Sequence, residues 1–156
     1  MRGKRLVRYI PVALFGIVTA ALVIPFIYAA VFGLNEYGWP NGGSGPPVNA
    51  YFRWTWNIMN PYSTTITATV HTDRARLRKE IPGWFDDTVH YIPPENYSGA
   101  ILPGYCWIGG YLNYAGGNVM QPGNKYHWDW ELWNASASDG SSASRSGGKE
   151  GTYTCQ

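Results

Sequence analysis

The sequence predicts an all-β domain, a small β-sandwich, preceded by one N-terminal transmembrane helix. Three observations predict it. An apolar run without an ionisable charge extends over residues 9–34 (YIPVALFGIVTAALVIPFIYAAVFGL). Aromatic residues make up 16% of the chain against 14% charged, with 19 Gly and 11 Pro, so flat side chains and turns outweigh helix-forming charged residues. Several later segments alternate apolar and polar residues with the period of two that turns one face of a strand inward. At 156 residues the chain has room for one small domain plus an anchor and is too short for a multidomain enzyme.

Arg2, Lys4, Arg5 and Arg8 form a basic tail over residues 1–8. Without these four, eight basic residues face ten acidic ones, so the net charge of +2 belongs to the tail and no extended basic patch points to nucleic acid. The apolar run is about 26 residues long and, at ~1.5 Å per residue, exceeds the ~30 Å of a hydrocarbon core. Positive charge precedes it and Glu36 is the first charge beyond it. The tail is therefore expected in the cytoplasm and the remainder outside, with lipid contact through residues 9–34. Pro11 lies where a missing N–H costs little, and Pro25 should kink the helix. The alternative is a signal peptide cleaved near Ala30, giving a secreted protein, although such apolar regions span only about 7–15 residues.

Residues 35–49 (NEYGWPNGGSGPPVN) read as a Gly/Pro linker, and the domain is expected over residues 50–156. In Tyr51–Met59, Phe52, Trp54, Trp56 and Ile58 alternate with Arg53, Thr55 and Asn57, and Asn60-Pro61 ends the strand. Thr64–Thr72 is a second, β-branched strand expected to form a hairpin with the first. Arg74, Arg76, Arg78 and Lys79 make a local basic cluster read as a solvated loop or short helix, with a lipid-headgroup or acidic-partner contact as the alternative. Asp86–Ile92, stopped by Pro93-Pro94, then Gly99–Leu102 and Tyr105–Tyr114 read as further strands. After the tight turn Gln121-Pro122-Gly123-Asn124, a strand over Tyr126–Trp133 should direct Tyr126, Trp128, Trp130 and Leu132 one way. His127, Asp129, Glu131 and Trp133 should face the other. The Ser/Ala/Gly stretch 134–148 reads as a mobile loop, and residues 151–156 as a last short strand.

Two cysteines outside a membrane favour one disulfide, Cys106 to Cys155, closing 49 residues and contributing about 4 kcal/mol; two free thiols are the alternative. The segment GKEGTYTC at 148–155 resembles the strand before the second cysteine of immunoglobulin-like domains. The resemblance implies Tyr153 as the corner tyrosine, Cys155 as the second cysteine and Cys106 as the first. The turn and aromatic strand PGNKYHWDW at 122–130 is similar to the Pro-Gly-turn strand of secreted β-sandwiches. Since only Gln156 follows Cys155, such a domain would be incomplete, permuted, or completed by another chain. The ending is also similar to that of cupredoxins, which implies copper. Copper there needs a His and usually a Met soon after the Cys, and His71, His90 and His127 lack short ligand spacing, so no metal or other cofactor is expected.

Asp129 and Glu131 on one strand face would lie roughly 6–7 Å apart, a spacing open to glycoside hydrolysis, yet alternating acids on a wet sheet face are ordinary. No nucleophile elbow, zincin, P-loop or dinucleotide motif occurs. No catalytic residue is therefore assigned, and the chain reads as a non-enzyme. Eight tryptophans are more than a small core usually needs. Trp54, Trp56, Trp128 and Trp130 are divided between core packing, a protein interface and glycan stacking. Asn96 and Asn134 open glycosylation sequons. The reading that follows is a single-pass, membrane-anchored extracytoplasmic interaction module, an accessory or structural subunit of a membrane or envelope complex. Alternatives are a filament or surface-layer subunit assembled by strand addition, and a secreted glycan-binding module.

Overall fold

The computed structural model describes residues 29–45, 49–115 and 119–156. Among them thirteen strands and no helix are formed. The strands are β1 Val31–Trp39, β2 Gly43–Gly45, β3 Ala50–Met59, β4 Ile66–Thr72, β5 Ala75–Lys79, β6 Asp87–Ile92 and β7 Glu95–Ile101. They continue with β8 Cys106–Ala115, β9 Lys125–Trp130, β10 Trp133–Ala137, β11 Ser142–Arg145, β12 Gly148–Lys149 and β13 Tyr153–Cys155. The domain is all-β, with open sheets in two facing layers. One layer is the antiparallel sheet β1-β3-β8. The other carries β11-β10-β4-β7 towards one end and β2-β13-β9-β5-β6 towards the opposite end.

The two halves of that second layer are successive stretches of the same chain paths. β4 leads into β5 across Asp73-Arg74, β6 into β7 across Pro93-Pro94, and β9 into β10 across Glu131-Leu132. At each break the inward parity changes. Ile66, Ala68 and Val70 are buried before the first break and Ala75 and Leu77 after it; Trp128 is buried before the third and Trp133 and Ala135 after it. One extra residue flips every later side chain to the opposite face. The three neighbours take the step together, because Ala75 pairs with both Ile92 and Trp130 while His71 pairs with both Asn96 and Asn134. Pro93 and Pro94 cannot donate to a ladder, which accounts for the break on the β6–β7 path.

This step corrects several expectations. Leu132 is 51% exposed and Trp133 fully buried, the reverse of an unbroken strand. Strands β3 and β4 do not form a hairpin: β3 pairs with β1 and β8, and β4 with β10 and β7. Arg76, Arg78 and Lys79 belong to strand β5, between β6 and β9, rather than to a loop or helix. The Ser/Ala/Gly stretch is a hairpin, β10 with β11, because Ala135 and Ala137 are small enough to lie beneath the aromatic layer opposite. The expected membrane span falls outside the described residues up to residue 28, and its last residues, Val31–Leu34, are strand. The same strand takes in Asn35–Trp39 of the expected linker, pairing with β3 from Val31↔Met59 to Trp39↔Tyr51. Alternation explains it: Phe32 and Leu34 pack against the core while Val31, Gly33 and Asn35 face out.

The core is an aromatic slab. Phe52 and Trp54 on β3 are fully buried, with ring centroids 4.8 Å apart, and Phe52 lies 5.4 Å from both Trp128 and Trp130 across the layers. Trp56 contacts Tyr97 and Trp107 at 5.0 and 5.5 Å. Rings of this size need small neighbours, and Ala68, Ala75 and Ala135 provide them in the facing layer. Glycine does the same within the strands. A Cβ at Gly109 would come 2.4 Å from Trp56 Cε2, and one at Gly38 would come 2.6 Å from Trp128 Cδ1. We therefore expect Gly109→Ala to destabilise the domain by about 1–3 kcal/mol through over-packing, whereas Gly33→Ala, whose Cβ meets nothing nearer than 3.6 Å, should be tolerated. Urea denaturation of the two variants reads the difference.

Candidate interaction face

The outer surface of β1-β3-β8 follows from the register. Its cross-strand rows are Trp39–Tyr51–Tyr114, Tyr37–Arg53–Leu112, Asn35–Thr55–Gly110, Gly33–Asn57–Ile108 and Val31–Met59–Cys106. Arg53 is the single charged residue among them. Aromatic side chains gather at one end, where the Tyr51 ring lies 6.1 Å from Tyr37 and 5.9 Å from Tyr114. Aliphatic residues gather at the other end, where Ile108 is 75% exposed. In β8 both alternating sets are apolar, Trp107 and Tyr111 packed against the core and Ile108, Leu112 and Tyr114 outside. A strand apolar on both sides is suited to having both faces covered.

β1 is held to the second layer through an inward-facing acid. The Glu36 carboxylate accepts the Trp133 Nε1–H at 3.0 Å and Arg145 donors at 2.9 and 3.2 Å. At the Val31 end two polar hubs close the domain. Asn60 is fully buried; its Nδ2 donates to the carbonyls of Thr64 and Ile101, both at 2.8 Å, and its Oδ1 accepts the Tyr62 N–H at 2.9 Å. Asp139 accepts from Ala30 N–H at 2.9 Å, Tyr62 hydroxyl at 2.8 Å and both donors of Ser141. Partial burial pushes its pKa up, but those hydrogen bonds outweigh burial and hold the carboxyl well below the usual range.

The outer face of β5 and β9 is the opposite in character. Arg76 pairs with Asp129 at 3.0 Å, Arg78 lies 3.8 Å from the same carboxylate, and Arg74 pairs with Glu131. His127, nearly buried, has Nδ1 3.3 Å from Glu80 and Nε2 3.6 Å from Asp86, while Glu80 also accepts from Lys149 and the Thr152 hydroxyl. A cleft of about 500 Å³ opens beside this group, lined by Glu80, Ile81, Pro82, Asp86, Gly123, Asn124, Lys125 and Lys149. Burial pushes the His127 pKa down, with Lys149 acting the same way and Asp86, Glu80 and Asp129 opposing. Asp129 and Glu131 are both engaged by arginines. Among the described residues no cluster of three or more His, Cys, Asp or Glu is placed to hold a metal.

The aromatic candidates lie inside. Trp54, Trp56 and Trp128 are buried and offer no ring face to a sugar or a partner, and Trp130 is partly buried and packs against the core. Period-two inward faces place them there. The two cysteines are not bonded: Cys106 is exposed on β8 and Cys155 buried on β13, in opposite layers. Tyr126, at the start of β9, has a buried hydroxyl that accepts the Gln121 N–H at 2.9 Å. Tyr153 lies beside it on β13, which pairs with β9 and carries Cys155. Asn96 is exposed on β7, its Oδ1 2.8 Å from His71 Nδ1, and Asn134 is half-buried on β10. Sequence reasoning missed the uncharged outer face, whose signal is the second apolar set in residues 106–115. It also missed Trp84 and Phe85, 81% and 93% exposed on the β5–β6 connection.

No family model and no curated protein matches the sequence. Among solved structures, a Bordetella pertussis protein assigned as ApaA aligns over 82% of this chain and 94% of its own length, at 9% identity and a TM-score of 0.36. A likeness that loose carries no argument about fold or function.

His127 makes stability depend on pH. Its folded pKa lies below the unfolded value of about 6.5, so between the two the unfolded chain binds more protons and stability falls as pH drops. Glu80 is held below the usual carboxylate range, chiefly by the Thr152 hydroxyl, and loses its contribution only in stronger acid. His127→Gln should remove the decline that begins near pH ~6.5 and leave the acid limb in place, as read from urea midpoints across pH.

Proposed function

We propose that this chain is a non-enzymatic, single-pass membrane-anchored interaction module, an accessory or structural subunit of a membrane or envelope complex. Residues 1–8 are cytoplasmic, the apolar run crosses the bilayer, and the β-domain stands outside it. Moving the domain boundary back to Val31 leaves about 20 apolar residues ahead of it, still sufficient to span. The domain is an immunoglobulin-like β-sandwich. That reading is supported by the layer order, by the Tyr126 corner, and by the Phe52–Trp128 contact two residues further along β9, where immunoglobulin domains carry their inter-sheet disulfide. The Ig-type pattern thus falls on 122–130, with the aromatic pair in place of Cys106 and Cys155.

One observation carries the functional reading: the outer face of β1-β3-β8 has Arg53 as its single charge and is aromatic towards one end and aliphatic towards the other, on a sheet contiguous with the proposed anchor. Depletion of charge with Tyr, Trp and aliphatic side chains is the composition of an interface centre. The occupant is another membrane-associated protein, since the face rises directly from the lipid surface. A strand-addition filament is the second reading, favoured by β8, a ten-residue edge strand with no charged residue that pairs on one side with β3.

The test is purification of the full chain from native membranes in mild detergent. A stoichiometric companion protein should co-purify and be lost in a Leu112→Lys, Tyr114→Lys variant whose thermal unfolding is unchanged, because both side chains are exposed. Concentration-dependent polymers of the isolated chain would favour the second reading. Turnover by the purified domain, abolished at Asp129 or Glu131, would refute both.

A further inference from the structure

The domain has one end almost without charge. The connections 60–65, 102–105 and 138–141, together with residues 29–31, meet at the start of β1, the end of β3 and the start of β8. They hold a single charged residue, the exposed Asp139, whose carboxylate accepts hydrogen bonds from Ala30, Tyr62 and Ser141. The polar atoms of Asn60 are satisfied internally. Beside the exposed Ser63, Thr64, Thr65 and Ser138, this end shows Leu102 at 56% exposure, Tyr105 at 66% and Ile108 at 75%, next to Val31 and Met59. The opposite end carries Lys79, Glu80, Asp86, Asp87, Lys125, Lys149 and Glu150 in its connections and strand tips.

The apolar run of the sequence reaches the domain at this uncharged end. Strand β1 starts at Val31, and the Ala30 N–H is tied to Asp139 of the β10–β11 turn, so no flexible spacer separates the run from the fold. We propose that this end, centred on Leu102, Tyr105 and Ile108, rests in the interfacial layer of the bilayer and fixes the domain upright on the membrane. The inference rests on the anchor reading above. An interface-seated surface exposes apolar and tyrosine side chains and carries few charges; this end exposes Leu102, Tyr105 and Ile108 and holds one charge, Asp139, which three neighbours engage. Seated so, β1-β3-β8 stands across the membrane surface and turns its outer face sideways, towards neighbours in the same bilayer.

The test uses the exposed thiol of Cys106, which lies in this patch. The full chain is labelled there in detergent with an environment-sensitive dye and reconstituted into phosphatidylcholine/phosphatidylglycerol vesicles containing lipid with a headgroup-level nitroxide. A Cys106→Ser, Trp84→Cys variant carries the dye at the opposite end. We expect blue-shifted emission and several-fold stronger lipid quenching at position 106 than at 84, with the difference reduced in a Tyr105→Asp, Ile108→Asp variant of unchanged melting temperature. If neither position is quenched while the chain resists carbonate extraction, the inference is wrong and the anchor stands. Quenching at 84 alone inverts the domain and overturns it, as does a shift at 106 without lipid quenching, which would mark a second copy on the patch. If carbonate removes the chain from the vesicles, the anchor reading fails and takes the inference with it.

Discussion

Packing of the β3 aromatics between the layers is the constraint on which the rest of the fold depends. Phe52, Trp54 and Trp56 project from one strand at two-residue intervals and are buried to 4% exposure or less. At normal packing density three such large rings leave room for small side chains among the Leu and Ile of the facing layer. The second layer therefore offers Ala68, Ala75 and Ala135 beside its own Trp128 and Trp133, and strand glycines lie flat against indoles, Gly109 under Trp56 and Gly38 under Trp128. The abundance of Gly and the Ser/Ala stretch, which look like signals for loops, serve in part as packing partners for large rings.

This is also why part of the fold was legible and part was not. The inward set of β3 could be read directly, because a clean alternation of large apolar with polar residues has only one structural meaning in a half-buried strand. Stretch 134–148 could not. Its Ala135 and Ala137 carry little hydrophobic signal alone, and their value lies in fitting beneath rings far away in sequence. The parity step at 131–132 was hidden for a related reason: YHWDWELW is apolar at alternate positions through Leu132, and only pairing with Ala75 and His71 reveals that the break is shared by three strands. The Tyr-x-Cys triplet at 153–155 is short enough to recur by chance, and it gave no hint of the buried Tyr126 hydroxyl and its bond to the Gln121 N–H.

The two outer surfaces treat charge in opposite ways. On β5 and β9, charges are brought together and neutralised locally: Arg76 and Arg78 by Asp129, Arg74 by Glu131, Lys149 by Glu80. Exposed pairs of this kind contribute little to stability, about 0–1 kcal/mol each, so their main consequence is a hydrated surface that does not bind its neighbours indiscriminately. On β1-β3-β8 charge is nearly absent, leaving a surface for which desolvation is inexpensive. A domain that had to remain free of contact on all sides would show the first treatment everywhere.

Asymmetry along the strands adds to asymmetry across the layers. At the Val31 end the buried Asn60 and the exposed Asp139 gather hydrogen bonds from neighbouring connections, beside exposed apolar side chains. Those hubs are expensive to build, since a buried Asn with an unmet donor or acceptor costs about 1–3 kcal/mol, and here every one of its side-chain groups is met. Such closure leaves few polar groups at this end in need of water, as the proposed seat at the membrane surface requires. With that seat, the charge-poor face of β1-β3-β8 would be presented at a fixed height and angle to whatever shares the membrane with it.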